Sequence, residues 1–227
     1  MNVTVYGDSI LRGVRFQEGR YVIDHSWETR LAENFRLRIT NRSRFGNTIQ
    51  KAMPRIEKDS AERCGGEDYA LLELGGNDCD YDWAAVSDAP EEAHECRTPP
   101  EAFLSAYRRA IRLLRRSGRK VILATLPPVN SELYLRFLCR DGLNRDNIVR
   151  WLGDVEHIYR WQESYSDMVE RLAREECVPL IDLRSAFLRD FRRPEALLCA
   201  DGIHPSTLGQ GLIFDTLSDT LRALFGN

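Results

Sequence analysis

Five short apolar runs, each followed by a Gly, Pro or polar cluster and separated by helical patterns, constrain this chain more than any other feature. They are residues 3–7 (VTVYG), 36–40 (RLRIT), 69–74 (YALLEL), 120–125 (KVILAT) and 178–183 (VPLIDL). Several are nearly continuous in apolar character, as strands buried on both faces are. Helical patterns fill the intervals at 27–35, 47–58, 100–117, 154–175 and 206–225. The third begins at Thr98-Pro99-Pro100-Glu101 and stops at Gly118. In the fourth, Val155, Ile158, Tyr159, Tyr165, Met168, Val169 and Leu172 form an apolar stripe. Strands alternating with helices predict an α/β fold with a parallel sheet covered on both sides. With 227 residues and no repeat, low-complexity tract or linker, the expectation is one domain over 1–227.

In open parallel sheets, ligands bind at the carboxyl ends of the strands. The residues that follow each strand therefore carry the functional information. Gly7-Asp8-Ser9 follows the first run. NRSRFGNT, with Gly46, follows the second, and Gly75-Gly76-Asn77-Asp78 the third. Near the C-terminus comes Asp201-Gly202-Ile203-His204, placed before Pro205. Taken singly, each of these reads as a turn. Together they supply a nucleophile, a base, a carboxylate to orient the base and several donors, the parts of a serine hydrolase. The Asp201–His204 spacing lets a tight turn bring carboxylate and imidazole into contact without a distant partner. Pro205 is expected to fix the exit into the last helix.

These four blocks resemble those of the SGNH hydrolases, also called GDSL esterases. Ser9 in GDSI, Gly46 in RFGNT, Asn77 in GGND and His204 in DGIHPS match in order and spacing, from residue 7 to 205. Asn41 and Thr48, on either side of Gly46, also resemble the second block. The resemblance implies a three-layer, flavodoxin-like α/β/α sandwich with a five-stranded parallel sheet. It implies Ser9 as nucleophile, His204 as base and Asp201 as its orienter. The oxyanion hole would use the Ser9 and Gly46 amides and the Asn77 side chain. The implied activity is hydrolysis of a carboxylic ester on a small soluble substrate, such as an acylated carbohydrate or a lysophospholipid, through an acyl-enzyme. It calls for no metal or organic cofactor. Two other readings are an acyltransferase that delivers the acyl group to a sugar hydroxyl and a carbohydrate-binding module that kept the fold. The complete catalytic set argues against the second.

Residues 79–100 and 127–153 form long connections that leave the same strand ends. They are either surface excursions or the walls of a substrate pocket, with Tyr81, Trp83, Tyr134 and Phe137 as lining candidates. Trp151 and Trp161 read as core or pocket wall, and His25, His94 and His157 as surface or packing residues. Asp78, Asp80 and Asp82 alternate like the start of a calcium loop. Trp83 stands where that loop needs Gly, however, and Ala89 where it needs Glu. Cys79, His94 and Cys96 have no metal-binding spacing.

Acidic residues outnumber Lys and Arg by 35 to 32, which gives no support for a nucleic-acid or membrane-surface partner. No segment is apolar for long enough to insert in a bilayer, and MNVTVYGDS has no signal-peptide pattern. The six scattered cysteines (64, 79, 96, 139, 177 and 199) read as reduced thiols, and the expected location is the cytoplasm.

Overall fold

A computed structural model describes residues 1–62, 68–189 and 194–225. Cys64 lies outside the described residues. The strands are β1 (Asn2–Gly7), β2 (Val14–Gln17), β3 (Arg20–Ile23), β4 (Arg38–Asn41), β5 (Asp68–Glu73), β6 (Lys120–Ala124) and β7 (Leu180–Ile181). The helices are α1 (Ser26–Phe35), α2 (Ile49–Ser60), α3 (Trp83–Asp88), α4 (Pro100–Arg116), α5 (Ser131–Cys139), α6 (Arg145–Leu152), α7 (His157–Glu175), α8 (Leu183–Arg189) and α9 (Thr207–Phe225).

The main sheet has five parallel strands in the order β4-β1-β5-β6-β7. Its register sets Val3 against Ile39 and Tyr69, and Leu71 against Ile122. Successive side chains of a strand point to opposite faces, so each strand feeds two cores. Ala70, Leu72, Val121 and Leu123 pack with Ile56, Phe103 and Val169, from α2, α4 and α7. Val5, Leu71, Ile122 and Ile181 pack with Leu31, Phe187 and Ile213, from α1, α8 and α9. The result is the expected three-layer α/β/α sandwich. All five strands point the same way, so the ends of β1, β4, β5 and β6 open on one edge.

Local chemistry explains where the helices begin. Thr48 accepts from the Lys51 amide at the start of α2, and Pro100 occupies the first turn of α4, where its missing N–H costs nothing.

The structure departs from the sequence reading at four places. The fifth strand is only Leu180–Ile181, because Leu183 already begins α8. The hairpin β2–β3 was not anticipated; its turn places Glu18 as well as Gly19 at positive φ (52° and 77°), a role for which Glu gives no signal. The connections 79–100 and 127–153 contain α3, α5 and α6. These are capped by Asp82, Asn130 and Asn144 but are too short to show an apolar stripe. Finally, Pro205 does not start α9; it bridges back to Leu198, and α9 begins at Thr207.

Leu72 lies at the centre of the sheet and is fully buried, whereas Leu208 on α9 is 61% exposed. Leu72→Ala is expected to cost about 2–5 kcal/mol in urea unfolding, and Leu208→Ala less than about 0.5 kcal/mol. Equal losses would contradict this assignment of the core.

Candidate active site

The turn after β1, which carries Ser9, is built from its own side chains. Asp8 Oδ1 accepts the Ile10 amide at 2.8 Å, and the Ser9 carbonyl accepts the Val14 amide at 2.9 Å. The chain turns sharply at the carboxyl end of β1, which leaves Ser9 buried but on the wall of a cavity. Gly7 is required by close approach, since a Cβ there would stand 2.8 Å from Ser43 Oγ.

The second segment is tied to the first through one carbonyl. Gly7 O accepts the Arg44 amide at 3.2 Å and Asn47 Nδ2 at 3.0 Å. Between these anchors Gly46 adopts a φ of 67°. Among the described residues, neither the Ser9 amide nor the Gly46 amide donates to the protein. In the third segment, Asn77 Nδ2 donates to Asp8 Oδ2 at 3.1 Å. This bond uses one amide hydrogen of Asn77, fixes the plane of the amide and leaves the other hydrogen free. Asp78 is fully buried and reaches back to cap α2, accepting the Ile49 amide at 3.0 and 3.2 Å.

The fourth segment is a closed loop. The Leu198–Pro205 bridge and the Cys199 N–His204 O bond of 2.7 Å seal its base. Gly202 has a φ of 76°, and a Cβ there would stand 2.6 Å from the Tyr134 amide. Its carbonyl accepts the Asn130 amide at 2.8 Å, which docks the loop on the start of α5. Inside the loop Asp201 Oδ2 lies 2.6 Å from His204 Nδ1. Asp201 Oδ1 accepts the His204 and Ile203 amides at 3.1 and 3.2 Å. Both residues are buried, and among the described residues His204 Nε2 has no hydrogen-bond partner.

Ser9, Gly46, Asn77 and His204 line one cavity of about 250 Å³. Tyr81, Trp83, Tyr134 and Phe137 line it too, as does Trp161. Trp151 packs on Tyr81, with ring centroids 4.8 Å apart. At the mouth the exposed Phe45 ring stacks on His204 at 5.8 Å, and Tyr21 of the hairpin meets the same imidazole edge-on at 5.3 Å.

The profile of the GDSL-like lipase/acylhydrolase family matches residues 5–212. The chain belongs to that family. This makes the protein an enzyme of the carboxylic ester hydrolase class. No curated protein matches the sequence. Among solved structures, this acylhydrolase is similar to an acetylxylan esterase from Geobacillus stearothermophilus, with 17% identity over 96% of this chain and 93% of that one and a TM-score of 0.68. It is also similar to a lipase/acylhydrolase from Enterococcus faecalis, with 17% identity over 98% and 95% of the two chains and a TM-score of 0.62. A member of the lipolytic G-D-S-L family from Veillonella parvula shares 16% identity over 96% of each chain, with a TM-score of 0.65. Likeness at this identity concerns the fold.

Several residues of this acylhydrolase that shape the site were not singled out in the sequence. Asp8 and Asn47 are immediate neighbours of Ser9 and Gly46, and that adjacency was the available signal. Glu73, fully buried at the end of β5, lies against the Asp8 carboxyl and gave no signal beyond being an acid in an apolar run. Burial raises the proton affinity of both carboxyls, and their mutual repulsion raises that of Glu73 further.

The would-be calcium carboxylates are engaged elsewhere. Asp78 caps α2, Asp82 caps α3, and Asp80 holds the side chains of Trp83 and Tyr134. Cys79 Sγ donates to the Gly76 carbonyl, His94 Nε2 lies 2.9 Å from the Ala89 carbonyl, and Cys96 meets the Tyr165 hydroxyl. Among the described residues no three metal-ligating side chains converge. Cys79, Cys96, Cys139, Cys177 and Cys199 form no disulfide. His25 pairs with Glu28, and His157 stacks on Trp161. No helix of the described residues is long and apolar enough to cross a membrane.

Burial pushes the Asp78 carboxyl up to about 7, against the hydrogen bond from Ile49, which favours the ion. The folded protein therefore holds a proton there that the unfolded chain releases above its ordinary carboxyl range. The contribution of this group to stability is complete below about pH 4 and falls as pH rises to about 7. Urea unfolding at pH 4.5 and 7.5 is expected to show a smaller loss of stability on raising pH for Asp78→Asn than for the native protein. Parallel profiles would contradict this role for Asp78.

Proposed function

We propose that this acylhydrolase is a serine esterase that acts on a small soluble ester through an acyl-enzyme. The observation that carries the reading is the state of His204. Its Nδ1 is held 2.6 Å from a buried carboxylate, while its Nε2 has no partner among the described residues and Ser9 lines the same cavity. An imidazole with Nδ1–H fixed on an acceptor presents Nε2 as a base.

In this reading Ser9 Oγ attacks the ester carbonyl as Nε2 takes its proton. The carbonyl π electrons move to oxygen and create a tetrahedral oxyanion. The two unspent amides of Ser9 and Gly46 and the free hydrogen of Asn77 supply three donors for that charge. They are fixed before the reaction by Gly7 O and Asp8, so they need little reorganisation when the charge appears. Collapse breaks the bond to the alcohol oxygen, which leaves with the proton from Nε2. Water then gives a proton to Nε2 and attacks the acyl-Ser9 carbonyl; collapse breaks the bond to Ser9 Oγ, which takes the proton back from Nε2 as the acid is released. The imidazolium that forms twice per turnover is stabilised by Asp201.

Asn77→Ala is expected to lower kcat by roughly 10²–10³, the usual loss for one oxyanion donor, with little change in KM. A raised KM with unchanged kcat would make Asn77 a ground-state binding residue instead. His204→Ala should cost as much as Ser9→Ala, and Asp201→Ala less, because the imidazole is then present but poorly held. The Asp201/His204 double variant should be little worse than His204→Ala alone, since the two act as one unit. Independent, multiplying losses would contradict the triad. Release of free acid in water, unchanged by added sugar, is the product outcome expected of a hydrolase; transfer of the acyl group to the sugar would reassign the enzyme as an acyltransferase.

A further inference from the structure

The cavity holds a guanidinium that the ester chemistry does not use. Arg97 lies between α3 and α4, and its backbone amide donates to the Asp80 carbonyl at 2.9 Å. Its Nη2 stands 3.1 Å from Asp80 Oδ2. The other oxygen of Asp80 accepts Trp83 Nε1 at 2.7 Å and the Tyr134 hydroxyl at 3.0 Å. Asp80, Trp83, Tyr134 and Arg97 all line the cavity. The Asp80 side chain is 15% exposed and has both oxygens committed to the wall, whereas the Arg97 side chain is 42% exposed. The remaining guanidinium hydrogens meet no acceptor among the described residues.

This arrangement has a consequence for the substrate. Asp80 is an acceptor with no hydrogen to donate, and Trp83 and Tyr134 spend their hydrogens on Asp80. Of these four residues only Arg97 has donors to spare. An alkyl chain packed there would cover those hydrogens from water without replacing their hydrogen bonds. The charge of Arg97 is already balanced by Asp80, so an uncharged acceptor fits better than an anion.

The direction of binding follows from the chemistry of the triad. The alcohol must leave beside His204, which protonates it, so the acyl group extends past Asn77. Three residues along the same chain segment comes Asp80. We propose that Arg97, held by Asp80, is a specificity-determining residue that donates to an uncharged oxygen of the acyl group, remote from the scissile carbonyl. The preferred acyl group then carries a keto, hydroxyl or ether oxygen where a lipid would carry methylenes. This rests on the serine-esterase reading above.

Two matched pairs of 4-nitrophenyl esters test it: pentanoate against 4-oxopentanoate, and hexanoate against 5-oxohexanoate. In the native enzyme, kcat/KM should favour the oxo ester of at least one pair by about tenfold, mostly through KM, as expected for one hydrogen bond to a charged donor. The ratio within each pair is the readout, which cancels differences in folded fraction between proteins. In Arg97→Met the ratio should fall towards one, and Arg97→Lys should restore part of it. Asp80→Asn, which loosens Arg97 without removing it, should lower the ratio less than Arg97→Met. Equal ratios in the native enzyme and Arg97→Met would overturn the subsite. The serine-esterase reading fails differently, if none of the four esters is turned over or if turnover survives Ser9→Ala.

Discussion

One buried carboxyl group, Asp78, sets the spacing of the site. It sits in the turn after β5 and caps α2, the helix that follows Gly46. Its carbonyl also accepts the Thr98 amide at 2.9 Å, which ties in the segment leading to α4 and carrying Arg97. Two donor segments and one wall of the cavity are therefore fixed to a single residue. The parallel sheet brings the strand ends to one edge, but a sheet alone sets strand spacing rather than the positions of loop atoms. Asp78 and the Gly7 carbonyl set those. The cost is a carboxyl removed from water, which appears as a proton held far above the usual carboxyl range.

The same logic extends to Asp8 and Glu73. Two acids against one another beside Ser9 cannot both ionise cheaply, so burial keeps a proton in the pair. Asp8 then serves two neighbours at once, holding the Ile10 amide that shapes the turn around Ser9 and the Asn77 side-chain amide beside it. His204 is arranged differently. Its carboxylate partner comes from its own loop, three residues away, and the loop is sealed at Leu198–Pro205 and docked on α5 through Gly202. Only glycine fits at residue 202, both for its backbone angle and for the closeness of the Tyr134 amide.

Much of this was legible in the sequence, and the reason is local. An apolar run ending in glycine is a buried strand with a turn at the site after it, and β1 and β5 follow that rule closely. Ser9, Gly46, Asn77, Asp201 and His204 could be singled out because each sits just after such a run or in a turn of its own. What was missed depends on partners distant in sequence. Glu73 meets Asp8 across 65 positions, and Asp80 gathers Arg97 and Tyr134 from two other segments. The hairpin β2–β3 was hidden by a Glu in its turn, and α3, α5 and α6 by their shortness. β7 was overextended because Leu183 continues the apolar run while its backbone has already turned into α8.

The central claim is that Ser9 is a nucleophile activated by His204. A fluorophosphonate probe tests it most directly, because the probe phosphonylates a serine that a neighbouring base activates, with loss of fluoride. Intact-mass measurement is expected to show one adduct on the native protein, located on the peptide that carries Ser9. The adduct should be absent from Ser9→Ala and greatly slowed in His204→Ala. An adduct on another serine, or labelling that persists at full rate without His204, would contradict the account.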